Sequence, residues 1–379
     1  MYLPLPLCTF LIMFSFRSVV VVQGRSSGSN SRLSNQAWTR LTTFRNQTLQ
    51  PSRWRNRKSL FRSVAPLSSL TTSTCAVQGG RSYMEDEYFV NADGTFGAVF
   101  DGHGGPAVSR YLRQNLYAQA LRSLQMLNPL SHEKTNYEDA KEGRNQEEDG
   151  EFQISKSSSS EVECHQSALS SALRKVDTDV IRVSHWSFQG ATAVVAWIVG
   201  GALDHPESHR TLVVANVGDS RAILNVNSTA VVLTRDHKPD TPEELARIRA
   251  CGGKVVWSGM VDSVGRPIAE AGVYRVNGNL ALSRAIGDRA ERPAVCSDPD
   301  FTVISLDENA RFILLATDGL WDVLTEQEVV DFVEMKLQEV DSGDEKLRML
   351  MRSQMAEMLI AEALRRGTYD NVTVVILWL

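Results

Sequence analysis

Cysteine is scarce in this chain, and no two cysteines stand close together. Cys8, Cys75, Cys164, Cys251 and Cys296 form no C-x-x-C pair. An odd, scattered set excludes a disulfide framework and a structural zinc site, and it fits reducing surroundings. Acid is missing from the N-terminal stretch: Arg and Lys recur from Arg17 to Arg81, yet the first carboxylate is Glu85. A long apolar run is missing too. Met1 to Gly24 is apolar but broken at Arg17, short of the about 20 residues a membrane span requires, so no stable span is expected. The net charge of −5 argues against a nucleic-acid binder, which would show a basic face.

What is present falls into two regimes. Residues 1–74 read as a targeting extension, cleaved or disordered. Its apolar segment ends at Val22-Gln23-Gly24, which resembles a cleavage site, and an acid-free stretch rich in Ser, Thr and Arg follows. That two-part order points to a plastid, with a mitochondrial presequence as its close rival. A secretory signal, a membrane anchor and a basic tail without an address are the alternatives. From Cys75 the texture becomes short apolar runs bounded by Gly, Asp and Asn, and a chain of 379 residues with 42% hydrophobic content can bury a large core.

Tyr88–Asn91, Phe96–Phe100, Ala193–Val199, Thr211–Val217, Ala222–Val226, Phe312–Ala316 and Thr373–Leu377 read as buried strands. Helical spacing covers Pro106–Leu127, Ser167–Val183, Pro242–Cys251, Glu326–Leu337 and Lys346–Arg365. Thr241-Pro242 is a helix start and Gly252-Gly253 a stop. Strands come in neighbouring runs with helices grouped between them, which predicts layered α+β packing. Residues 128–163 are too polar for a packed segment and read as a solvated loop; phosphorylation of Ser157–Ser160 is the regulatory alternative.

The chemistry lies in carboxylates where apolar strands meet loops: Met84-Glu85-Asp86, Phe100-Asp101-Gly102-His103-Gly104-Gly105, Thr317-Asp318-Gly319-Leu320-Trp321-Asp322 and Tyr369-Asp370-Asn371. Carboxylates converging on one sheet edge repel unless cations neutralise them. An all-oxygen set without cysteine suits Mg²⁺ or Mn²⁺ better than zinc. No G-x-x-x-x-G-K-[ST] follows Gly102, which disfavours nucleotide binding. Ser220 and Ser283 lie in no G-x-S-x-G elbow and are assigned to structure.

Together with Arg81-x-x-Met84, Gly190-Ala191-Thr192-Ala193, Val217-Gly218-Asp219-Ser220-Arg221 and Asn277 to Asp288, these motifs resemble the metal-dependent protein phosphatases of the PPM, or type 2C, family over about Gly79–Leu379. The resemblance implies a four-layer αββα sandwich, with two antiparallel β-sheets flanked by helices. It implies a serine/threonine phosphatase that attacks phosphoprotein substrates directly with a metal-bridging water; a monomer is expected, although the sequence does not reveal the oligomeric state. Asp101 is expected to bridge two ions, with Glu85, Asp86 and the Gly102 carbonyl at the same centre. Asp318 and Asp370 are expected on the second ion, and Asp219, Asp318 and Asp322 around a weaker third. Arg81 is expected to grip phosphate. His103 is the candidate general acid, a structural loop histidine being the alternative. The stretches between Gly253 and Val276 and from Arg289 to Pro293 depart from the family pattern, so substrate choice does not carry over.

Overall fold

Residues 69–127, 157–200, 210–340 and 343–379 are described by the structure, a computed structural model. The expected extension as far as residue 68, and the insertion from 128 to 156, lie outside them.

Two five-stranded antiparallel sheets form the centre. One runs in the order β1 (Thr72–Val77), β15 (Val372–Trp378), β14 (Ala310–Ala316), β8 (Arg221–Val226), β9 (Thr229–Val232). The other runs β13 (Asp300–Leu306), β7 (Arg210–Val217), β6 (Ala193–Val199), β3 (Phe96–Phe100), β2 (Glu87–Val90). Their central strands read as unbroken apolar runs because both faces are covered. In β6, Ala193, Val195, Trp197 and Val199 enter one cluster while Val194, Ala196 and Ile198 enter another. In β14, Phe312, Leu314 and Ala316 separate from Ile313 and Leu315 in the same way. Period-2 alternation thus feeds three apolar layers at once.

The middle layer joins the sheets, with Val194, Leu212 and Val214 meeting Leu224, Ile313, Leu315 and Leu377. Helices α1 (Ala107–Leu127) and α2 (Ser157–Ile181) cover the outer face of the β6 sheet. Helices α5 (Glu326–Gln338) and α6 (Glu345–Arg366) cover the other sheet. The result is the expected αββα sandwich. Helix ends follow local chemistry: Thr325 and Glu328 form a reciprocal capping box on α5, and Gly367, at φ 95°, closes α6. Helix α3 (Pro242–Ala250) starts with Pro at its first position.

Two expected boundaries are corrected. The folded domain does not begin at Cys75: β1 starts at Thr72 and pairs in register with β15, Thr72 opposite Leu377 and Thr74 opposite Val375. Its Thr-Ser-Thr start has the composition of the tail before it, so composition hid a strand. The polar insertion does not extend to Glu163, because α2 begins at Ser157. One face of that turn is anchored by Val162, which packs on the α2 cluster, while its neighbours stay polar. Strands β9 and β13 went unread because they are only partly buried and Thr229, Thr302 and Ser305 dilute their apolar pattern. The divergent stretch after Gly253 is a hairpin of β10 (Val255–Val261) and β11 (Pro267–Val276).

Candidate metal centre

Antiparallel pairing brings the acidic motifs to one end of the sandwich. Asp101 follows β3, Asp219 follows β7, and Asp318 follows β14 as the first residue of α4 (Asp318–Trp321). Asp86 precedes β2, and Asp370 lies just before β15. Glu87 stands opposite Phe100, and Val374 opposite Ala316, so strand beginnings and strand ends share this edge.

Asp101, Asp219 and Asp318 each offer a carboxylate oxygen within 4.8 Å of the others. Burial, then repulsion from Asp318, Asp86, Asp219 and Asp370, holds Asp101 well above the usual carboxylate range. Burial and the charges of Asp219, Asp322 and Asp370 push Asp318 up to about 7. Burial also pushes Asp86 up to about 7, although Thr317 and Thr373 each donate a hydroxyl to its Oδ2 at 2.9 Å. A crowd of acids held so far from its ionised state calls for cations. The donors are all oxygen, which fits hard divalent ions such as Mg²⁺ or Mn²⁺.

The tight trio differs from the expected core set. It contains Asp219, which the resemblance gave to a weaker ion, and it omits Asp370. Asp370 has other partners: Arg81 donates to its Oδ2, and the Asn371 N–H donates to its Oδ1 at 2.7 Å. Arg81, the expected phosphate grip, is therefore paired with a carboxylate, its side chain half exposed. Glu85 and Asp322 lie at the periphery, where their charges act on Asp86 and Asp318 respectively. Gly102 is buried beneath this edge. A Cβ there would come within 2.4 Å of the Glu85 carbonyl oxygen, so no other residue fits.

Several contributors went unread in the sequence. Lys238 donates to Asp219 Oδ2 and brings a positive charge into the trio. Burial alone would lower its pKa, but Asp219 outweighs that and raises it. The wholly buried His237 accepts the Gly218 N–H at its Nδ1 (3.0 Å), fixing the turn that presents Asp219. Its Nε2–H therefore donates to Asp300 at 3.1 Å. Asn371 accepts the Glu85 N–H and donates to the carbonyls of Gln78 and Tyr83, tying the Arg81 loop to β15. Thr192 and Ser220 share a hydroxyl contact of 2.7 Å beneath Asp101, which agrees with the structural assignment of Ser220.

His103 ends the short strand β4 (Gly102–His103), which pairs with β5 (Gly190–Ala191). Its Nε2 stands 2.8 Å from Oδ2 of the buried Asp288. Burial would lower the imidazole pKa, yet the bond and charge of Asp288 raise it above its ordinary value. The Gly287-Asp288 signal lay inside a motif already read, but only folding reveals which histidine it serves.

A family model for protein phosphatase 2C matches residues 70–372. The probable protein phosphatase 2C 69 of Arabidopsis thaliana is 33% identical over 306 residues, 79% of this chain and 67% of that relative. The probable protein phosphatase 2C member 13, mitochondrial, of Oryza sativa subsp. japonica is 32% identical over 79% of this chain and 65% of that relative. Among solved structures, a serine-threonine phosphatase 2C from Toxoplasma gondii shares the fold, with a TM-score of 0.60 at 21% identity over 81% of this chain and 94% of that one.

Proposed function

The chain belongs to the protein phosphatase 2C family, the metal-dependent serine/threonine protein phosphatases, and on that premise we propose that it hydrolyses phosphoserine and phosphothreonine at the acidic end of its sandwich with Mg²⁺ or Mn²⁺. The observation that carries this reading is the meeting of Asp101, Asp219 and Asp318 oxygens within 4.8 Å, beside a half-exposed arginine. Asp101, Asp318 and Asp370, with Glu85, Asp86 and the Gly102 carbonyl, would hold two ions; Asp219, Asp318 and Asp322 would hold a third. When bound, such ions supply a water nucleophile active near neutral pH and offset charge on the phosphoryl oxygens.

The chain's own groups do the rest. Arg81 releases Asp370 and takes two phosphate oxygens through its planar guanidinium, a geometry lysine lacks. Its exposure lets a bulky phosphoprotein reach it. His103, kept protonated by Asp288, donates a proton to the departing serine or threonine oxygen. Since Nε2 faces Asp288, the proton leaves from Nδ1. Thr317 and Thr373 orient Asp86, and Lys238 with His237 holds the Asp219 turn.

The acid-free N-terminal stretch supports import into an organelle, a plastid or a mitochondrion. One relative carries a mitochondrial name. Removal of that stretch would have to stop short of Leu70, which packs on the middle layer. No helix among the described residues is long and apolar enough to cross a membrane.

The deciding experiment is hydrolysis of phosphothreonine peptides and p-nitrophenyl phosphate by the purified chain with Mn²⁺, Mg²⁺ or EDTA. Metal-dependent release from the peptides is expected. Turnover that survives EDTA, or turnover of the small ester alone, contradicts the proposal.

A further inference from the structure

Far from the acidic end, a cavity of about 720 Å³ opens between the start of β14, the end of β15 and the facing ends of α5 and α6. Phe312 and Asp318 are six residues apart in one extended stretch, which puts the cavity about 20 Å from the metal centre. Its volume lies in the range of small-molecule pockets.

Its lining is incomplete in a particular way. The indole N–H of Trp378 and the Nε–H of Arg352 are buried without an acceptor, and both residues line this cavity. They are the two orphaned N–H donors among the described residues. Trp378 is 3% exposed, and the Arg352 guanidinium lies 5.2 Å from its ring centroid. Phe312 packs edge-on against the same indole at 5.3 Å. Buried donors are nearly always paired in folded proteins, so two beside one cavity point to a missing acceptor.

A second arginine stands beside these donors. Arg348 lies one turn before Arg352 on α6 and lines the same cavity. Neither guanidinium meets a carboxylate among the described residues. Glu334, which also lines the cavity, is already committed to Arg311 at 2.9 Å and to Asn225 at 2.7 Å, so it is not the acceptor these donors lack. Phe312, Leu337 and Trp378 supply an apolar wall.

We propose that this cavity is a binding site for a small organic anion, an acid group joined to a compact apolar body. The acid group accepts from Arg348, Arg352 and the Trp378 N–H, and the body packs on Phe312 and Leu337. Carboxylates and phosphonates share the required acceptor geometry.

The test is calorimetry and saturation-transfer NMR on the full chain in EDTA, in an Arg81→Ala background that removes the anion grip at the metal centre. The probes are 4-phenylbutyrate, phenylphosphonate and inorganic phosphate. Saturable binding of at least one organic probe is expected, with the better of the two identifying the preferred acid group. Binding should weaken about tenfold in Arg352→Gln and again in Arg348→Gln, as expected for losing a charge-assisted bond. Arg348 is only partly buried, so its variant keeps the fold and its result stands if Arg352→Gln proves unstable. The proposal fails if neither organic probe saturates at millimolar concentration, or if both arginine variants bind them unchanged. It also fails if inorganic phosphate binds as tightly as the organic probes, or if a crystal soaked with them shows only water on the Trp378 N–H.

Discussion

The buried carboxylate of Asp288 meets His103 Nε2 at 2.8 Å, and Gly190 makes that meeting possible. A Cβ at position 190 would fall 2.0 Å from Asp288 Oδ2 and 2.6 Å from His103 Nε2. Asp288 raises the histidine's pKa against its burial, which keeps the acid form populated near neutral pH. Asp288→Asn removes that support, so the pKa falls and the alkaline limb of kcat moves to lower pH. Gly190→Ala separates the pair sterically. We expect each to lower kcat by about 10² with alkyl phosphate leaving groups, and much less with p-nitrophenolate, which leaves without a proton. Equal losses with both leaving groups would remove His103 from acid catalysis.

The metal centre makes stability depend on pH in a defined direction. Asp86 and Asp318 are raised to about 7 from 3.8, so the folded chain keeps protons that the unfolded chain releases between about pH 4 and 7. Metal-free stability is therefore fully present below that window and falls as pH rises through it. Bound Mg²⁺ or Mn²⁺ removes the repulsion. The rise in Tm on adding either ion should be small at pH 5 and largest above pH 7; calorimetric scans showing a pH-independent increment would contradict the clustering of charge.

For the same reason Asp318→Asn should divide stability from activity. It deletes one of three crowded carboxylates. The metal-free variant should melt several degrees higher than the parent at pH 7.5 while losing orders of magnitude in kcat. A lower metal-free Tm would show that Asp318 is compensated by partners rather than by cations.

Thr317 and Thr373 each hold Asp86 Oδ2, and Thr317 Oγ1 also accepts the Thr373 N–H at 3.0 Å. Thr317→Val leaves the shape and removes the hydroxyl. Loss of such an orienting bond typically costs about 10–100-fold in metal affinity. Mn²⁺ titration followed by calorimetry should show that loss, and the metal-free chain should melt a few degrees lower because the buried Thr373 N–H loses its acceptor.

Truncation tests the corrected boundary. A chain starting at Cys75 lacks Thr72–Thr74, which pair with Val375–Leu377, and Ser73, whose hydroxyl bridges the Ser353 carbonyl and the Ala356 N–H. It should unfold at lower denaturant than a chain starting at Ser69. Identical midpoints would mean that the domain does begin later.

Much of the fold was legible because both faces of the central strands are buried. β3, β6, β7, β8, β14 and β15 announce themselves as apolar runs, and α1, α3, α5 and α6 through spacing and caps. Elements with one solvated face were lost in polar composition, as in β1, β9, β13 and the first turns of α2. The acids of the site were legible as well, since each closes or opens a strand. Their partners were not. Asp288, Lys238, Thr317 and Thr373 look like ordinary residues in the chain and gain their roles from contacts with residues 19 to 287 positions away.

The order of residues alone determined the layered α+β class, the strand-end position of every acidic motif and the all-oxygen character of the donor set, because periodicity and residue type are local properties. Tertiary structure decided which carboxylates meet. It put Asp219 beside Asp101 and Asp318, paired Arg81 with Asp370, and gave His103 its carboxylate. Those outcomes depend on how strands from opposite sheets line up at one edge, a relation between distant segments that no local pattern encodes.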